Sequence, residues 1–187
     1  LKNITLFCQD WGGLIGLRLA AKYNDRFEKI ITANTGLPTG KAPLSEGFAV
    51  FREFLQIKPD LHVAGQVRNG TTKGIDENAL AAYNAPFPSE DHKQGVRQFP
   101  NLVPGTPRTP SAEPNKEAWK ILREWNKPFL CAFSDKDPIF AGVENSFYKL
   151  VPGCEGMPHV TIEDAGHFLQ EDQPDACVEA ILSIKDI

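Results

Sequence analysis

One aspartate, Asp10, stands between an apolar segment and a glycine pair, in the order Cys8-Gln9-Asp10-Trp11-Gly12-Gly13. A nucleophile elbow has the pattern small–x–nucleophile–x–small, because its strained strand-to-helix turn tolerates little bulk on either side. Cys8, Asp10 and Gly12 occupy those positions. The turn would lift the Asp10 carboxylate above the C-terminal edge of a sheet, where a helix N-terminus stabilises an anion. A helix-capping role for Asp10 is the alternative that these residues alone leave open.

Two later segments supply the partners that a carboxylate nucleophile needs. Asp137 follows the strand-like run Phe129–Phe133, and His167 lies in a loop after a second β-favouring run, residues 159–162. A base must reach a water near the nucleophile, and an acid must orient that base and compensate its charge. The chain order nucleophile, acid, histidine is that of the α/β-hydrolase fold. The sequence therefore predicts a catalytic triad of Asp10, Asp137 and His167.

Other titratable side chains compete for these roles. Asp135 is the alternative acid, and we expect Asp137 because the acid in this fold stands some way beyond the tip of its strand. His159 is expected within a strand, facing the surface of the sheet. His62 and His92 fall in a predicted lid, and we expect both on the surface.

The segments around Asp10 form a strand–helix–strand unit. Residues 4–8 are apolar and β-favouring, Gly12–Lys22 has apolar side chains at helical spacing, and Phe27–Ala33 is rich in isoleucine. Such a unit of about thirty residues implies parallel strands. The same alternation resumes after residue 114, with a helix expected at Glu117–Trp125. We therefore expect the α/β class: a partial α/β-hydrolase fold, with a mostly parallel sheet and helices on both faces.

An inserted helical cap is predicted where the alternation stops. Helices are expected at Ser45–Leu55 and Asp76–Tyr83, and the proline-rich stretch Pro86–Pro114 is expected to lack regular structure. The predicted division is a core segment at 1–36, a cap at 37–114 and a second core segment at 115–187.

The sequence indicates a chain that continues before its first residue. Only four core strands can be counted, whereas open parallel sheets with both faces covered normally have more. Met157 is the only methionine, and Leu1 almost directly precedes a strand. We expect the chain to be the C-terminal part of a longer protein, with the remaining strands before Leu1.

Charge and composition exclude several kinds of partner. The net charge of −4, without any run of lysine or arginine, argues against nucleic acid and anionic membranes. No apolar stretch approaches the ~18 residues of a membrane helix. The four cysteines fit no metal or redox spacing, so we expect free thiols in a cytoplasmic protein. We expect a monomer with a small-molecule substrate, and neither a metal nor a cofactor.

Five segments make the chain resemble the haloalkane dehalogenases, in the subfamily whose acid is an aspartate. Together they extend over nearly the whole chain: Gln9-Asp10-Trp11-Gly12-Gly13, Ala33-Asn34-Thr35-Gly36-Leu37-Pro38, Ala82-Tyr83-Asn84-Ala85-Pro86-Phe87-Pro88, Gln98-Phe99-Pro100 and Gly166-His167-Phe168-Leu169-Gln170-Glu171. The resemblance implies a small apolar halogenated substrate. The aspartate would displace halide to form an alkyl ester, and histidine-activated water would then hydrolyse that ester.

The resemblance also implies roles for Trp11 and Phe51. The indole N–H of Trp11 would point at the leaving halide, and its backbone N–H would form part of the oxyanion hole. The subfamily's second halide donor is a tryptophan in the first cap helix, and the matching residue here is Phe51. Phenylalanine has no N–H to donate. The second oxyanion residue is expected on an earlier loop that these residues do not include.

Two other functions compete with dehalogenation. An epoxide hydrolase would use the same Asp-His-Asp triad together with two cap tyrosines, and Tyr83 is the only tyrosine in the predicted cap. A catalytically inactive, truncated hydrolase fragment is the second alternative.

Overall fold

A sheet of four parallel strands forms the centre of the molecule. The computed structural model describes all 187 residues, and the strands are β1 (Ile4–Gln9), β2 (Phe27–Ala33), β3 (Phe129–Ser134) and β4 (Val160–Ile162). They pair in that order, each parallel to the next. Every strand therefore ends at the same edge of the sheet, where the loops after β1, β3 and β4 meet. The predicted α/β class with a parallel sheet is confirmed.

Helices connect and surround the strands. Their bounds are α1 (Trp11–Lys22), α2 (Glu46–Ile57), α3 (Val63–Asn69), α4 (Glu77–Asn84), α5 (Gln94–Gln98), α6 (Ala112–Leu122), α7 (Glu144–Leu150), α8 (Leu169–Asp172) and α9 (Pro174–Leu182). Short 3-10 helices lie at Glu90–Lys93, Phe99–Leu102 and Pro152–Cys154. None of the helices has the length and apolar character needed to cross a lipid bilayer.

Apolar side chains cover both faces of the sheet. Phe129, Cys131 and Phe133 of β3 belong to one buried cluster, whereas Leu130 and Ala132 belong to another. Successive side chains of a strand point to opposite faces, so the two clusters lie on opposite sides of the sheet. Helices α1, α6 and α7 complete the first cluster, and α8 and α9 complete the second. The predicted helices on both faces are thus present.

The start of α6 and the position of His159 differ from the predictions. Helix α6 begins at Ala112 rather than Glu117, because Pro114 falls in its first turn, where a missing N–H breaks no helical hydrogen bond. His159 precedes β4 instead of lying within it, and its Nδ1 accepts a hydrogen bond from the Cys131 N–H at 3.0 Å. The prediction that His159 faces the sheet surface from within a strand is therefore wrong.

The segment between β2 and α6 has a small core of its own. Its buried members are Leu55, Leu61 and Val63. Arg97 donates to the Leu55 carbonyl at 2.6 Å and so ties α5 to α2. Helix α5 and two 3-10 turns lie within residues 86–114, where the sequence predicted no regular structure. Short helices fit between the prolines, because proline is tolerated in a first turn.

The division into core segments 1–36 and 115–187 and a cap at 37–114 stays a proposal. Helix α6 packs against α1, beside the sheet. Since α6 begins at Ala112, the boundary after residue 114 falls in its first turn.

Candidate active site

Asp10 follows β1 directly, with a backbone conformation that few residues adopt. Its φ is 47° and its ψ is −123°, a strained combination that costs of order 1–3 kcal/mol and persists only where its surroundings hold it. The Thr35 hydroxyl donates to the Asp10 carbonyl at 2.6 Å, and the Asp10 N–H donates to the Asn34 carbonyl at 3.0 Å. A Cβ at Gly13 would lie 2.0 Å from Thr35 Oγ1, so the tight turn requires glycine there. The Asp10 side chain makes no capping hydrogen bond, which contradicts the capping alternative.

His167 stands between two carboxylates. Its Nδ1 lies 2.9 Å from Oδ2 of Asp137, and its Nε2 lies 3.5 Å from Oδ1 of Asp10. Asp137 is only 2% exposed, and its other oxygen accepts a hydrogen bond from the Ile139 N–H at 2.8 Å. Asp135 is exposed and accepts a backbone N–H elsewhere. The structure thus brings the three predicted triad residues together, and Asp137 is the acid in contact with the histidine.

Burial and the neighbouring charges have opposite effects on the pKa values of Asp10 and His167. Burial raises the pKa of Asp10, and the charge of His167 and the backbone N–H of Trp11 offset only part of that rise. Burial by itself would lower the pKa of His167, but the hydrogen bond with Asp137 and the charges of Asp10 and Asp137 together raise it above its ordinary value. Proton binding by His167 is therefore coupled to the charge on Asp10.

Gln9, which the sequence did not single out as a site residue, contacts the same histidine twice. Its Nε2 donates to the His167 carbonyl at 3.0 Å and lies 3.3 Å from the ring Nε2. When the Nδ1–H of neutral His167 faces Asp137, Nε2 is an acceptor that the Gln9 amide can satisfy. Gln9 therefore holds both the ring and the backbone of His167 in place.

A buried polar network joins β2 and β3 to the loop that carries the histidine. Asn34, directly after β2, donates from Nδ2 to the Gly166 carbonyl at 2.9 Å and to the Ser134 hydroxyl at 2.7 Å. The Ser134 N–H donates to Oδ1 of Asn34 at 2.9 Å. Both side chains are buried, so these bonds take the place of water. The network sets the position of the backbone next to His167.

Asp172 ties that loop to the segment between α3 and α4. It is 3% exposed, and its carboxylate accepts the N–H groups of Gly166 at 2.8 Å, Thr72 at 2.9 Å and Lys73 at 2.9 Å. Burial would raise the pKa of Asp172, but these N–H donors outweigh burial and hold the pKa below its ordinary value. One carboxylate therefore connects the predicted cap with the loop of His167.

We expect Asp172→Asn to lower the free energy of unfolding by about 1.5–3 kcal/mol, because hydrogen bonds to a charged acceptor are lost. The depressed pKa means that the wild-type contribution is present above the unfolded-state pKa and is lost as the pH falls through the folded-state pKa. The difference between the two proteins should therefore shrink in acid. Denaturant unfolding at neutral and acidic pH measures both effects. The exposed Asp175→Asn is the matched control, and equal stability of the two variants would contradict the prediction.

Two cavities meet at Asp10 and Trp11. The first has a volume of about 650 Å³ and is also lined by His167, by Phe51 of α2 and by Phe99. The rings of Trp11 and Phe99 meet edge to face at 4.8 Å. The two predicted halide-contacting residues, Trp11 and Phe51, thus line the same cavity as the carboxylate. Polar side chains are among its lining residues, but most of its exposed surface is apolar, which suits a small apolar molecule.

Other sequence candidates lie outside this arrangement. Tyr83 donates to Glu171 at 2.6 Å, and burial together with that carboxylate raises the pKa of Tyr83 to about 12. Tyr83 lines neither cavity. His62 accepts the Gly65 N–H as the N-cap of α3, His92 is exposed, and neither lines a cavity with Asp10.

Known proteins are similar to this chain in both sequence and fold. The model of the alpha/beta hydrolase fold family matches residues 1–174. A haloalkane dehalogenase from Psychrobacter cryohalolentis is 53% identical over 173 residues, which are 92% of this chain and 57% of that protein. A haloalkane dehalogenase from Mycolicibacterium paratuberculosis is 41% identical over 183 residues, which are 98% of this chain and 60% of that protein. The chain thus spans less than two thirds of the length of these relatives.

A solved structure matches the whole chain. It is the tetrameric haloalkane dehalogenase DpaA from Paraglaciecola agarilytica NO2, which superposes with a TM-score of 0.89 at 33% sequence identity. The match covers all of this chain and 62% of that one. The four-stranded sheet, the inserted helices and the histidine loop therefore follow an arrangement that is already known.

Proposed function

The chain belongs to the α/β-hydrolase fold family, and from its similarity to haloalkane dehalogenases we propose that the whole protein hydrolyses carbon–halogen bonds. Haloalkane and water would give an alcohol, a halide ion and a proton. The observation that carries the proposal is the Asp10 carboxylate in an elbow, 3.5 Å from Nε2 of His167, at an apolar cavity. A carboxylate attacks without first losing a proton, so no base is needed for the initial step.

In the first step, an Asp10 oxygen attacks the carbon that bears the halogen, from the side opposite the halogen. The new C–O bond forms while the electron pair of the carbon–halogen bond leaves with the halide, and Asp10 becomes a neutral alkyl ester. Trp11 lies beside Asp10 in the cavity, and its donor-only indole N–H would hold the departing halide. Partial burial raises the pKa of Asp10 and also removes part of the water that would otherwise shield the carboxylate.

In the second step, His167 takes a proton from a water that attacks the ester carbon of Asp10. The backbone N–H of Trp11, which already interacts with the Asp10 carboxylate, would stabilise the negative oxygen that develops. The alcohol leaves with the proton that His167 returns, and Asp10, which now carries one oxygen from water, releases the second proton of that water to solvent and becomes a carboxylate again. Asp137 keeps the Nδ1–H of His167 in place and compensates the charge of the imidazolium.

The pKa of His167 is expected to fall when Asp10 becomes an ester. In the free protein the charge of Asp10 contributes to the raised pKa, and esterification removes that charge while the bond with Asp137 remains. Only neutral His167 can accept the proton, so hydrolysis of the ester should speed up with rising pH and level off above this lower pKa. A single-turnover pH profile gives the pKa in the ester, and NMR titration of the imidazole gives it in the free protein. A pKa in the ester at or above the free value would contradict the proposed role of Asp10.

Two substrates separate the proposal from its alternatives. Full-length protein would be incubated with 1-bromobutane and with styrene oxide: release of bromide supports dehalogenation, opening of the epoxide selects an epoxide hydrolase, and neither reaction selects an inactive fragment. The position of Tyr83 counts against the epoxide alternative, since its hydroxyl bonds to Glu171 and lines neither cavity.

The assembly and location of the protein also stay proposals. We retain the predicted monomer, and the tetrameric DpaA supplies the competing outcome, which light scattering of the full chain distinguishes. The cytoplasmic location is supported by four buried cysteines with free thiols, as in proteins of reducing compartments.

A further inference from the structure

The last residue of β1, Gln9, lies on the face of the sheet where the histidine loop packs. Gln9 follows Phe7 at a spacing of two, so both side chains point to the same face. Phe7 packs against the buried cluster that α8 and α9 complete, and this cluster includes Ala165 of the loop that carries His167. The strand therefore brings the Gln9 amide to His167 from the position directly before the nucleophile in the chain.

The orientation of the Gln9 amide is fixed by its partners. Its Nε2 lies 3.0 Å from the carbonyl oxygen of His167, which can only accept, so the nitrogen of the amide and not its oxygen must be on that side. The same nitrogen carries a second N–H and lies 3.3 Å from the ring Nε2 of His167. An amide nitrogen only donates, so this second contact is a hydrogen bond only while the ring Nε2 carries no proton.

Protonation of His167 would place two donors against each other. In the imidazolium both ring nitrogens carry a proton. The Nδ1–H still has Oδ2 of Asp137 at 2.9 Å, but the new N–H at Nε2 would face the amide nitrogen of Gln9 at 3.3 Å. The acceptor on that side is Oδ1 of Asp10, 3.5 Å from Nε2. The contact with Gln9 therefore disfavours the imidazolium, whereas the contact with Asp10 favours it.

The other groups around His167 do not replace this effect of Gln9. Burial by itself would lower the pKa of His167, but the hydrogen bond with Asp137 and the charges of Asp10 and Asp137 together raise it. Neighbours from three further segments carry no charge: Gly70, Phe140 and Phe168. Other charged side chains nearby are bound to partners of their own: Lys136 to Asp164, and Asp172 to backbone N–H groups.

From this geometry we infer that Gln9 is a positioning residue that holds Nε2 of His167 unprotonated and so prevents the base from pairing with the nucleophile. The consequence for turnover rests on the proposed dehalogenase function. An imidazolium beside Asp10 would attract its carboxylate and weaken it as a nucleophile. The proton that Nε2 does not hold stays in the solvent. After the ester has formed, the hydrolytic water replaces the Gln9 N–H at Nε2, while the bond from Gln9 to the His167 carbonyl keeps the amide in place.

Gln9→Leu tests the inference, because leucine keeps most of the bulk and has no donor. The loop should stay in place, since Asn34 also donates to the His167 carbonyl at 3.2 Å. NMR titration of the imidazole in the full-length variant should give a pKa of His167 that is higher by about half a unit to one unit, because a neutral hydrogen bond to Nε2 is lost. Loss of a polar side chain without this bond would lower the pKa, because the charged ring would be less well solvated.

The rate of the bromide burst from 1-bromobutane should show the same shift. It should rise with pH to a plateau as His167 loses its proton, with a higher midpoint and a little-changed plateau in Gln9→Leu. A side chain that only supported the loop would lower the plateau and leave the midpoint unchanged. Gln173→Leu is the matched control and should change neither. It removes an amide that donates to the Glu163 carbonyl at 2.9 Å and lines neither of the two cavities at Asp10 and Trp11, of about 650 and 730 Å³.

Two NMR titrations keep this inference separate from the proposed function. In the wild-type protein, the side-chain N–H resonances of Gln9 should titrate with the same midpoint as the ring of His167, and this measurement needs neither a variant nor a substrate. If those resonances do not follow the ring, or if the pKa of His167 in Gln9→Leu is unchanged or lower, the inference is wrong, and release of bromide would still support dehalogenation. If no haloalkane releases bromide, the proposed function fails, and the two titrations still decide the role of Gln9.

Discussion

His167→Gln is expected to stop the reaction after one halide per enzyme molecule. Asp10 attacks carbon without a base, so a single burst of bromide should remain. Hydrolysis of the ester needs a proton to leave water, and without the imidazole it should slow by about 10²–10⁴-fold. The alkyl group should then accumulate on Asp10, which alone occupies the elbow.

Rapid-quench measurement of bromide and mass spectrometry after exposure of the full-length protein to 1-bromobutane detect the burst and the adduct. His92→Gln, at an exposed histidine that lines neither cavity, is the matched control and should turn over normally. A folded His167→Gln protein without a burst would show that the histidine acts in the displacement as well. A butyl adduct on a peptide without Asp10 would show that Asp10 is not the nucleophile.

The residues of the candidate site that were predictable are those with a local signature. The elbow around Asp10 is visible because the turn demands small neighbours at fixed spacing, and the structure shows the strained backbone that the spacing implies. Asp137 and His167 could be predicted because chain order constrains where acid and base occur once the nucleophile is placed. Their contact, 2.9 Å between Oδ2 and Nδ1, is in accord with that order.

The residues that support the histidine could not be predicted in this way. Asn34 bonds to partners one hundred or more positions away, and Asp172 bonds to residues of the predicted cap that are ninety-nine and one hundred positions away. In the sequence, each resembles an ordinary polar residue at the end of an element. Only the folded chain shows that both are buried and hydrogen-bonded to backbone.

The prediction for His159 was wrong for the same physical reason, a hydrogen bond to a residue that is distant in the sequence. Its neighbours are β-favouring, so a strand was expected, but its ring nitrogen accepts the Cys131 N–H. A side chain thus replaces the backbone acceptor that a longer strand would have supplied, and β4 begins one residue later. Local propensity cannot anticipate this exchange, because it depends on the neighbouring strand.

Phe51→Trp is expected to strengthen the halide site. Phe51 lines the cavity together with Asp10 and Trp11, so an indole at this position could aim a second N–H at the leaving group. The positive edge of a phenylalanine ring attracts an anion only weakly. A hydrogen bond to a charged, desolvated partner contributes about 1.5–3 kcal/mol, which corresponds to roughly ten- to a hundred-fold in bromide affinity and in the rate of carbon–halogen cleavage.

Fluorescence quenching by bromide and single-turnover cleavage of 1-bromobutane, both in the full-length protein, measure the two effects. Phe54→Trp is the matched control: Phe54 lies on the same helix and packs in the small core of the predicted cap without lining the cavity, so we expect its indole not to contact the halide. Steady-state turnover is less informative, because tighter halide binding slows release and can offset faster cleavage. If Phe51→Trp behaves like Phe54→Trp in both measurements, Phe51 does not face the halide, and the match of α2 to the first cap helix of the dehalogenases is wrong.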